Sequence, residues 1–276
     1  MSHAIVSKPQ ELEKIKSAMR MAGKDKIHVV ADFDHTITVG AGQVAVIAQL
    51  REGDYLTPDY AQRAFALYDT YGKLDHDYSL TLQERIAKMH EWWTIHFDLL
   101  IECGLKRSVL EHVVEHRPLV YRDGALEWID MLHEANIPLV ILSAGLGDMI
   151  DLYLKKVGRL YDTVHVVSNR FQFDQEGKVI GIAEPMIHSL NKGEIALHGQ
   201  PFYSRLLERK YIFLLGDSIG DIDMTAGFPY DKQISIGFLN HDIEIHKERY
   251  AEQFNLVITD DGNMDNVTAL FREILE

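Results

Sequence analysis

The chain has 276 residues, enough to bury a large core in one or two domains, and its 46% hydrophobic and 25% charged content is that of an ordinary globular protein. A formal net charge of −14 excludes the basic face that a nucleic-acid binder needs, but leaves room for a small anionic substrate held by a metal ion and a few local cations. The single cysteine, Cys103, excludes an internal disulfide framework and reads as a half-buried helical thiol, and no apolar run reaches the roughly 18 residues of a membrane span.

In chain order, the first two dozen residues carry acids and lack the apolar stretch of a secretory signal, so a soluble cytoplasmic protein is expected. Leu12, Ile15 and Met19 recur at helical spacing, which predicts an amphipathic helix packed on the body. Ile27–Phe33 is the first of six short apolar, β-branched runs; the others are Pro138–Ser143, Thr163–Ser168, Tyr211–Leu215, Gln233–Phe238 and Leu256–Ile258. Several are apolar without interruption, the pattern of strands covered on both faces. From Gly40 to about Arg117 no buried strand is legible; the interval is helical in pattern and holds Trp92 and Trp93, aromatics read as core. Gly40 and Gly42 open it and Pro118 closes it, all plausible hinge positions. Helices are predicted over Ala125–Ala135 and Asp148–Val157, and a hairpin turning near Glu176–Gly177. The alternation of strands and helices predicts an α/β fold, a parallel sheet between helix layers, with a helical unit inserted after the first strand.

Four motifs carry chemistry. Asp32-Phe33-Asp34-His35-Thr36 follows the first apolar run, and two neighbouring carboxylates at a strand end repel one another and resist burial. They make sense if a divalent cation neutralises them, or if one is a nucleophile and the other a proton carrier. Gly216-Asp217-Ser218-Ile219-Gly220-Asp221 repeats the arrangement after another strand, and Asp217 can complete a Mg²⁺ site with Asp32. Ser143-Ala144-Gly145 closes a strand and precedes a helix, where a hydroxyl and backbone N–H groups form a phosphate cradle. Lys192 precedes a helical stretch at Glu194–Leu197. Each alone has a bland reading as acidic loop, helix cap or surface lysine. Their order along one chain, three of the four at strand ends, is far more specific than any member.

With these motifs the sequence resembles the haloacid dehalogenase superfamily of phosphatases. Through DFDHTIT, IPLVILSAGLGDMI, VHVVSNRFQFDQEGKVIG, LNKGE and IFLLGDSIGDIDMT it resembles, more closely, the cytosolic pyrimidine 5′-nucleotidase family. The resemblance implies a Rossmann-like three-layer core from residues 1–40 and 118–276, with an inserted α-helical cap over 41–117. It implies Asp32 as nucleophile and Asp34 as general acid/base, with Ser143, Ala144 and Lys192 holding the substrate phosphate. Mg²⁺ would be bound by Asp32, the backbone carbonyl of Asp34 and Asp217, with Asp221 in support. The implied substrate is a small phosphomonoester, a nucleoside 5′-monophosphate with a pyrimidine or modified base, with no nucleic-acid polymer or membrane as partner. Asp75 and His96 fall where the family's cap contacts the base with a glutamate and a serine, and both depart from that pattern; His35 is read as a bystander. The alternatives are a phosphatase or phosphotransferase for another small phosphomonoester and, more distantly, a non-catalytic metabolite-binding protein.

Overall fold

A computed structural model of the chain describes residues 4–74, 77, 79–193, 197 and 199–276. The apolar runs form a sheet of β1 (Ala4–Val6), β2 (Ile27–Ala31), β3 (Leu139–Leu146), β4 (Val164–Asn169), β7 (Tyr211–Gly216), β8 (Lys232–Leu239) and β9 (Leu256–Thr259). Between β4 and β7 a separate hairpin pairs β5 (Phe171–Phe173) with β6 (Val179–Ile182) and turns through Gly177 at φ 76°. Strand order in the sheet is β1-β9-β8-β7-β2-β3-β4, parallel throughout except for β1. All five residues of β2 are buried, as its uninterrupted apolar pattern requires.

Alternate residues of these strands face two cores. Val29 and Ala31 of β2 join the cluster under α1 (Pro9–Ala22), α6 (Ala125–Glu134) and the C-terminal helix Asp265–Leu275. Val30 faces the other way, with Val140, Leu142, Ile212 and Leu214, against Leu197, Leu206, Met224 and Phe228. Helix α1 buries Leu12, Ile15 and Met19, the stripe expected from their spacing.

The strand order reverses about β2, whose neighbours are β3 on one side and β7 on the other. In open parallel sheets ligands bind beyond the carboxyl ends of the strands at such a switch point.

Between β2 and β3 lie α2 (Ala48–Arg51), α3 (Tyr60–Tyr71), α4 (Leu82–Glu102) and α5 (Arg107–His116), with no strand among the described residues. Helix α4 starts where Thr81 and Glu84 form a reciprocal capping box. The outgoing and returning chain segments run side by side: Thr38 and Tyr121 form an antiparallel bridge, and Val39 N–H donates to the Val120 carbonyl at 3.1 Å. Beyond α4, the amide of Val179 donates to the Leu105 carbonyl and that of Arg107 to the Gly177 carbonyl, which stitches the inserted helices to the hairpin. No helix among the described residues is long and apolar enough to cross a membrane.

Three readings need correction. Strand β1 was not expected; at three residues, partly exposed at a sheet edge, it has no apolar signature. Ser143 lies within β3, which continues irregularly past the bulge to Leu146. Cys103 is buried at the end of α4, not half-buried. The helices predicted at 125–135 and 148–157 are α6 and α7 (Gly147–Lys156), differing by one residue at the C-terminal end of α6 and at each end of α7. The stretch expected at Glu194–Leu197 lies outside the described residues except for Leu197, which is buried.

Candidate active site

Asp32 follows β2, and its amide donates to the Leu215 carbonyl of β7 at 3.0 Å, so the adjacent strand fixes its backbone. The residue is 4% exposed. Lys192 approaches from the loop after the hairpin, with Nζ 2.5 Å from Asp32 Oδ1 and 3.1 Å from Asp221 Oδ1. These are buried, charge-assisted hydrogen bonds, the strong kind.

Asp221 is carried by a 3-10 turn, Ile219–Thr225, whose cap is made by the motif itself. Ser218 Oγ accepts from the Gly220 amide at 3.1 Å, and Asp221 Oδ2 accepts from the Ser218 amide at 2.9 Å. Gly216 permits this fold-back, because a Cβ there would lie 2.4 Å from the Cβ of Asp221. Asp217 is fixed from behind by the Tyr250 hydroxyl, which donates to its carbonyl at 2.5 Å.

Asp32, Asp217 and Asp221 each offer an oxygen within 4.8 Å of the others, an all-oxygen donor set of the kind hard divalent cations take. Burial raises the Asp32 pKa to about 7, against the lowering influence of Lys192 and with further raising by Asp221. Burial also pushes Asp217 well above the carboxylate range, and Asp221 and Asp32 add to the effect. Burial alone would lower the pKa of Lys192; the carboxylates of Asp221 and Asp32 more than offset it, so the ammonium stays charged. A cluster of three carboxylates, two of them buried and with this much mutual repulsion, fits a bound divalent cation.

Asp34 sits beside this cluster. Its Oδ1 accepts from the Val46 amide at 2.9 Å, and burial raises its pKa. Ser143 Oγ accepts from the Gly145 amide at 2.9 Å, which leaves the hydroxyl hydrogen to donate. A Cβ on Gly145 would meet Ser143 Oγ at 3.1 Å and Asp34 Oδ2 at 3.2 Å, so the glycine keeps open the space between those groups. The carbonyl of Ala144 is held by Asn169 Nδ2 at 2.8 Å, and that of Gly145 by Ser168 Oγ at 2.9 Å. Asn169 also bonds the amide and carbonyl of Ile187, joining this motif to the loop that delivers Lys192.

The structure thus places Asp32, Lys192, Asp217 and Asp221 together, with Asp34, Gly145 and Ser143 adjoining one another. Of the two base-contact candidates, Asp75 lies outside the described residues. His96 is not the surface histidine its helical setting allowed: it is 4% exposed, its Nε2 lies 3.2 Å from the Tyr60 hydroxyl, and it stacks on Trp93. Burial lowers its pKa to about 4, so the ring is neutral. Sequence reasoning missed Asn169, Tyr250 and Arg122, a buried arginine after the inserted helices; they act through backbone carbonyls far away in sequence, which leave no motif.

Residues 37–275 match the model of the pyrimidine 5′-nucleotidase (UMPH-1) family. A 7-methylguanosine phosphate-specific 5′-nucleotidase of Mus musculus is 30% identical over 276 residues, spanning 98% of this chain and 92% of the relative. Among solved structures, cytosolic 5′-nucleotidase IIIB bound to cytidine superposes with a TM-score of 0.90 at 30% identity, over 99% of this chain and 93% of that one. A substrate-bound phosphoserine phosphatase shares the fold, with a TM-score of 0.55 at 15% identity over 88% of this chain and 96% of that one.

Proposed function

The chain belongs to the pyrimidine 5′-nucleotidase family, and from that premise we propose that it hydrolyses nucleoside 5′-monophosphates through an aspartyl-phosphate formed on Asp32. The observation that carries this reading is the meeting of Asp32, Lys192, Asp217 and Asp221 at the carboxyl ends of β2 and β7.

Asp32 Oδ attacks phosphorus in line as the bond from phosphorus to the 5′ oxygen breaks. The departing oxygen takes a proton from Asp34. Asp34, now ionised, removes a proton from water, which attacks phosphorus and breaks the bond to Asp32; inorganic phosphate leaves and both carboxyls return to their starting states. Lys192 and the Ser143 hydroxyl, with the amide of Ala144, hold the equatorial phosphoryl oxygens, where removal of one such donor typically costs about 10²–10³ in rate. Mg²⁺, held by Asp32, the Asp34 carbonyl and Asp217 with Asp221 in support, would supply the positive charge that offsets repulsion between carboxylate and phosphate.

Residues 41–117 serve as the cap over a core of residues 1–40 and 118–276; the placement of α2–α5 in that interval, entered and left by paired segments, supports the division. Base recognition falls to the cap. The relatives bracket the choice, one named for 7-methylguanosine phosphate and one bound to cytidine. If His96 reads the base, its neutral ring gives hydrogen bonding or packing and no charge. The enzyme acts in the cytoplasm, as one relative's designation as a cytosolic 5′-nucleotidase suggests.

The test is phosphate release from CMP, UMP, 7-methyl-GMP, GMP, phosphoserine and a sugar phosphate, with Mg²⁺ and then with chelator. Mg²⁺-dependent release from CMP, UMP or 7-methyl-GMP in preference to the others is expected. Release confined to non-nucleotide esters would overturn the substrate assignment and leave the Asp32 chemistry standing.

A further inference from the structure

Arg122 is 1% exposed and belongs to none of the four motifs. Its guanidinium is directed at the backbone around the site. Nε donates to the Thr36 carbonyl at 2.9 Å and Nη2 to the His35 carbonyl at 2.6 Å, so the arginine grips the two residues that follow Asp34. His35 is held at φ 63°, in the left-handed region that is costly outside glycine, and Asn240 Nδ2 also donates to its carbonyl at 2.9 Å. The guanidinium carbon lies 4.1 Å from the centre of the Phe238 ring, which fixes its plane.

Asp261, just beyond β9, carries the other half of the arrangement. Its Oδ1 accepts from Arg122 Nη1 at 3.0 Å and from the Gly40 amide at 2.8 Å, and its Oδ2 from the Ala41 amide at 2.9 Å. Burial alone would raise its pKa; the two amides and the guanidinium hold it below the usual carboxylate range. One ion pair, buried at Arg122 and partly exposed at Asp261, therefore holds the loop after Asp34 and the first residues of the segment leading into the inserted helices.

We propose that Arg122 and Asp261 are positioning residues that set the placement of Asp34 and anchor the hinge of the cap, and so govern turnover and not substrate capture. The inference rests on the phosphohydrolase reading above. No hydrogen bond joins either side chain to Asp32, Ser143 or Lys192, so apart from a through-space attraction between Arg122 and Asp217 they act through the backbone they hold. A displacement near 1 Å at a reacting group costs about 10²-fold, so a loop that relaxes slightly is enough to be read in kcat.

Complete removal of the guanidinium would strip the Thr36, His35 and Gly262 carbonyls of their donor as well as unpairing Asp261 and risk unfolding, whereas an Asp261 variant leaves Arg122 those carbonyl partners. The experiment therefore compares wild type with Asp261→Asn, Asp261→Ala and Arg122→Lys, measuring kcat and KM per folded molecule on CMP and on p-nitrophenyl phosphate with Mg²⁺. Asn can keep the Oδ1 contacts to Gly40 and Arg122 but turns its NH₂ toward the Ala41 amide. The expected order of kcat is wild type, Asp261→Asn, then Asp261→Ala, with the alanine and lysine variants down by about 10–10² and KM within about twofold. Unchanged kcat per folded molecule, a raised KM at constant kcat, or an activity loss that merely follows the folded fraction would each overturn the inference while wild-type turnover upholds the phosphohydrolase reading. A folded wild type that releases phosphate from neither ester overturns both.

Discussion

The backbone amide of Val46, at the entrance to the inserted helices, donates a 2.9 Å hydrogen bond to Oδ1 of Asp34, the proposed proton donor. The segment leading into the inserted helices thus touches this carboxyl through main chain, and a movement at Val46 reaches it directly. Asp34 also accounts for its own availability: burial raises its pKa, so the protonated form persists above the usual carboxylate range.

Asp34→Asn retains the oxygen that accepts from Val46 and loses only the titrating proton. First-turnover release of the nucleoside is expected to slow by about 10²–10⁴. The loss should be much smaller for p-nitrophenyl phosphate, whose leaving group needs no proton. In wild type the same first-turnover rate falls as pH rises through the Asp34 pKa, because the donor form is lost. Equal losses on both esters in rapid-quench measurements would remove Asp34 from the proton-donor role.

In metal-free protein the site's carboxylates should cost stability as pH rises, while His28, His96 and His188, whose burial lowers their pKa to about 4, act in the opposite sense up to their ordinary 6.5. The folded-state pKa of Asp32, about 7, lies above the ordinary 3.8, so between these values the folded state holds a proton that the unfolded chain has released. That contribution is complete below the ordinary value and lost as pH rises through the folded one, at most about 1.4 kcal/mol per pH unit for each extra proton. Asp217 and Asp34 shift in the same direction and extend the window. Urea unfolding with chelator from pH 4 to pH 8 should show wild type losing stability relative to Asp32→Asn, in which that proton is absent, and saturating Mg²⁺ should restore wild-type stability most at the alkaline end. A metal-free wild type that gains stability relative to Asp32→Asn over that range contradicts the electrostatics described for the site.

Gly216→Ala places a methyl group 2.4 Å from the Asp221 Cβ, and backbone on both sides must move. A stability loss of about 1–3 kcal/mol is expected, as for overpacking elsewhere. Mg²⁺ affinity should fall with it, since Asp217 and Asp221 are carried by the displaced turn. Calorimetric Mg²⁺ titration checks this, and unchanged affinity would separate the turn from the metal site.

The Tyr60–His96 pair tests whether base reading and phosphate chemistry are separable. Tyr60→Phe leaves His96 Nε2 without its 3.2 Å partner, at a cost of about 1–3 kcal/mol. His96→Ser is expected to change the ratio of kcat/KM between CMP and 7-methyl-GMP while p-nitrophenyl phosphate turnover stays near wild type. An identical ratio in the variant would place His96 in packing alone.

How much of this was legible in the chain follows from how each feature arises. Asp32, Asp34, Asp217 and Asp221 stand out because carboxylates directly after apolar strands have no packing explanation. The inserted unit is visible because its period changes from strand to helix. Strand β1 lacks an apolar signature, and Ser143 sits inside β3 because a bulge carries the strand on to Leu146. His96 is buried by contacts from Tyr60 and Trp93, and only tertiary packing reveals that. Arg122, Asp261, Asn169 and Tyr250 escape a sequence reading because their partners include main-chain atoms brought close by folding.

The most direct test of the central claim is to quench the enzyme during turnover of CMP with Mg²⁺ at acidic pH and map the phosphorylated peptide by mass spectrometry. One phosphoryl group on Asp32, absent in Asp32→Asn and absent with chelator, is the predicted result. Turnover without a phosphorylated Asp32 peptide, or wild-type turnover by Asp32→Asn, would contradict it.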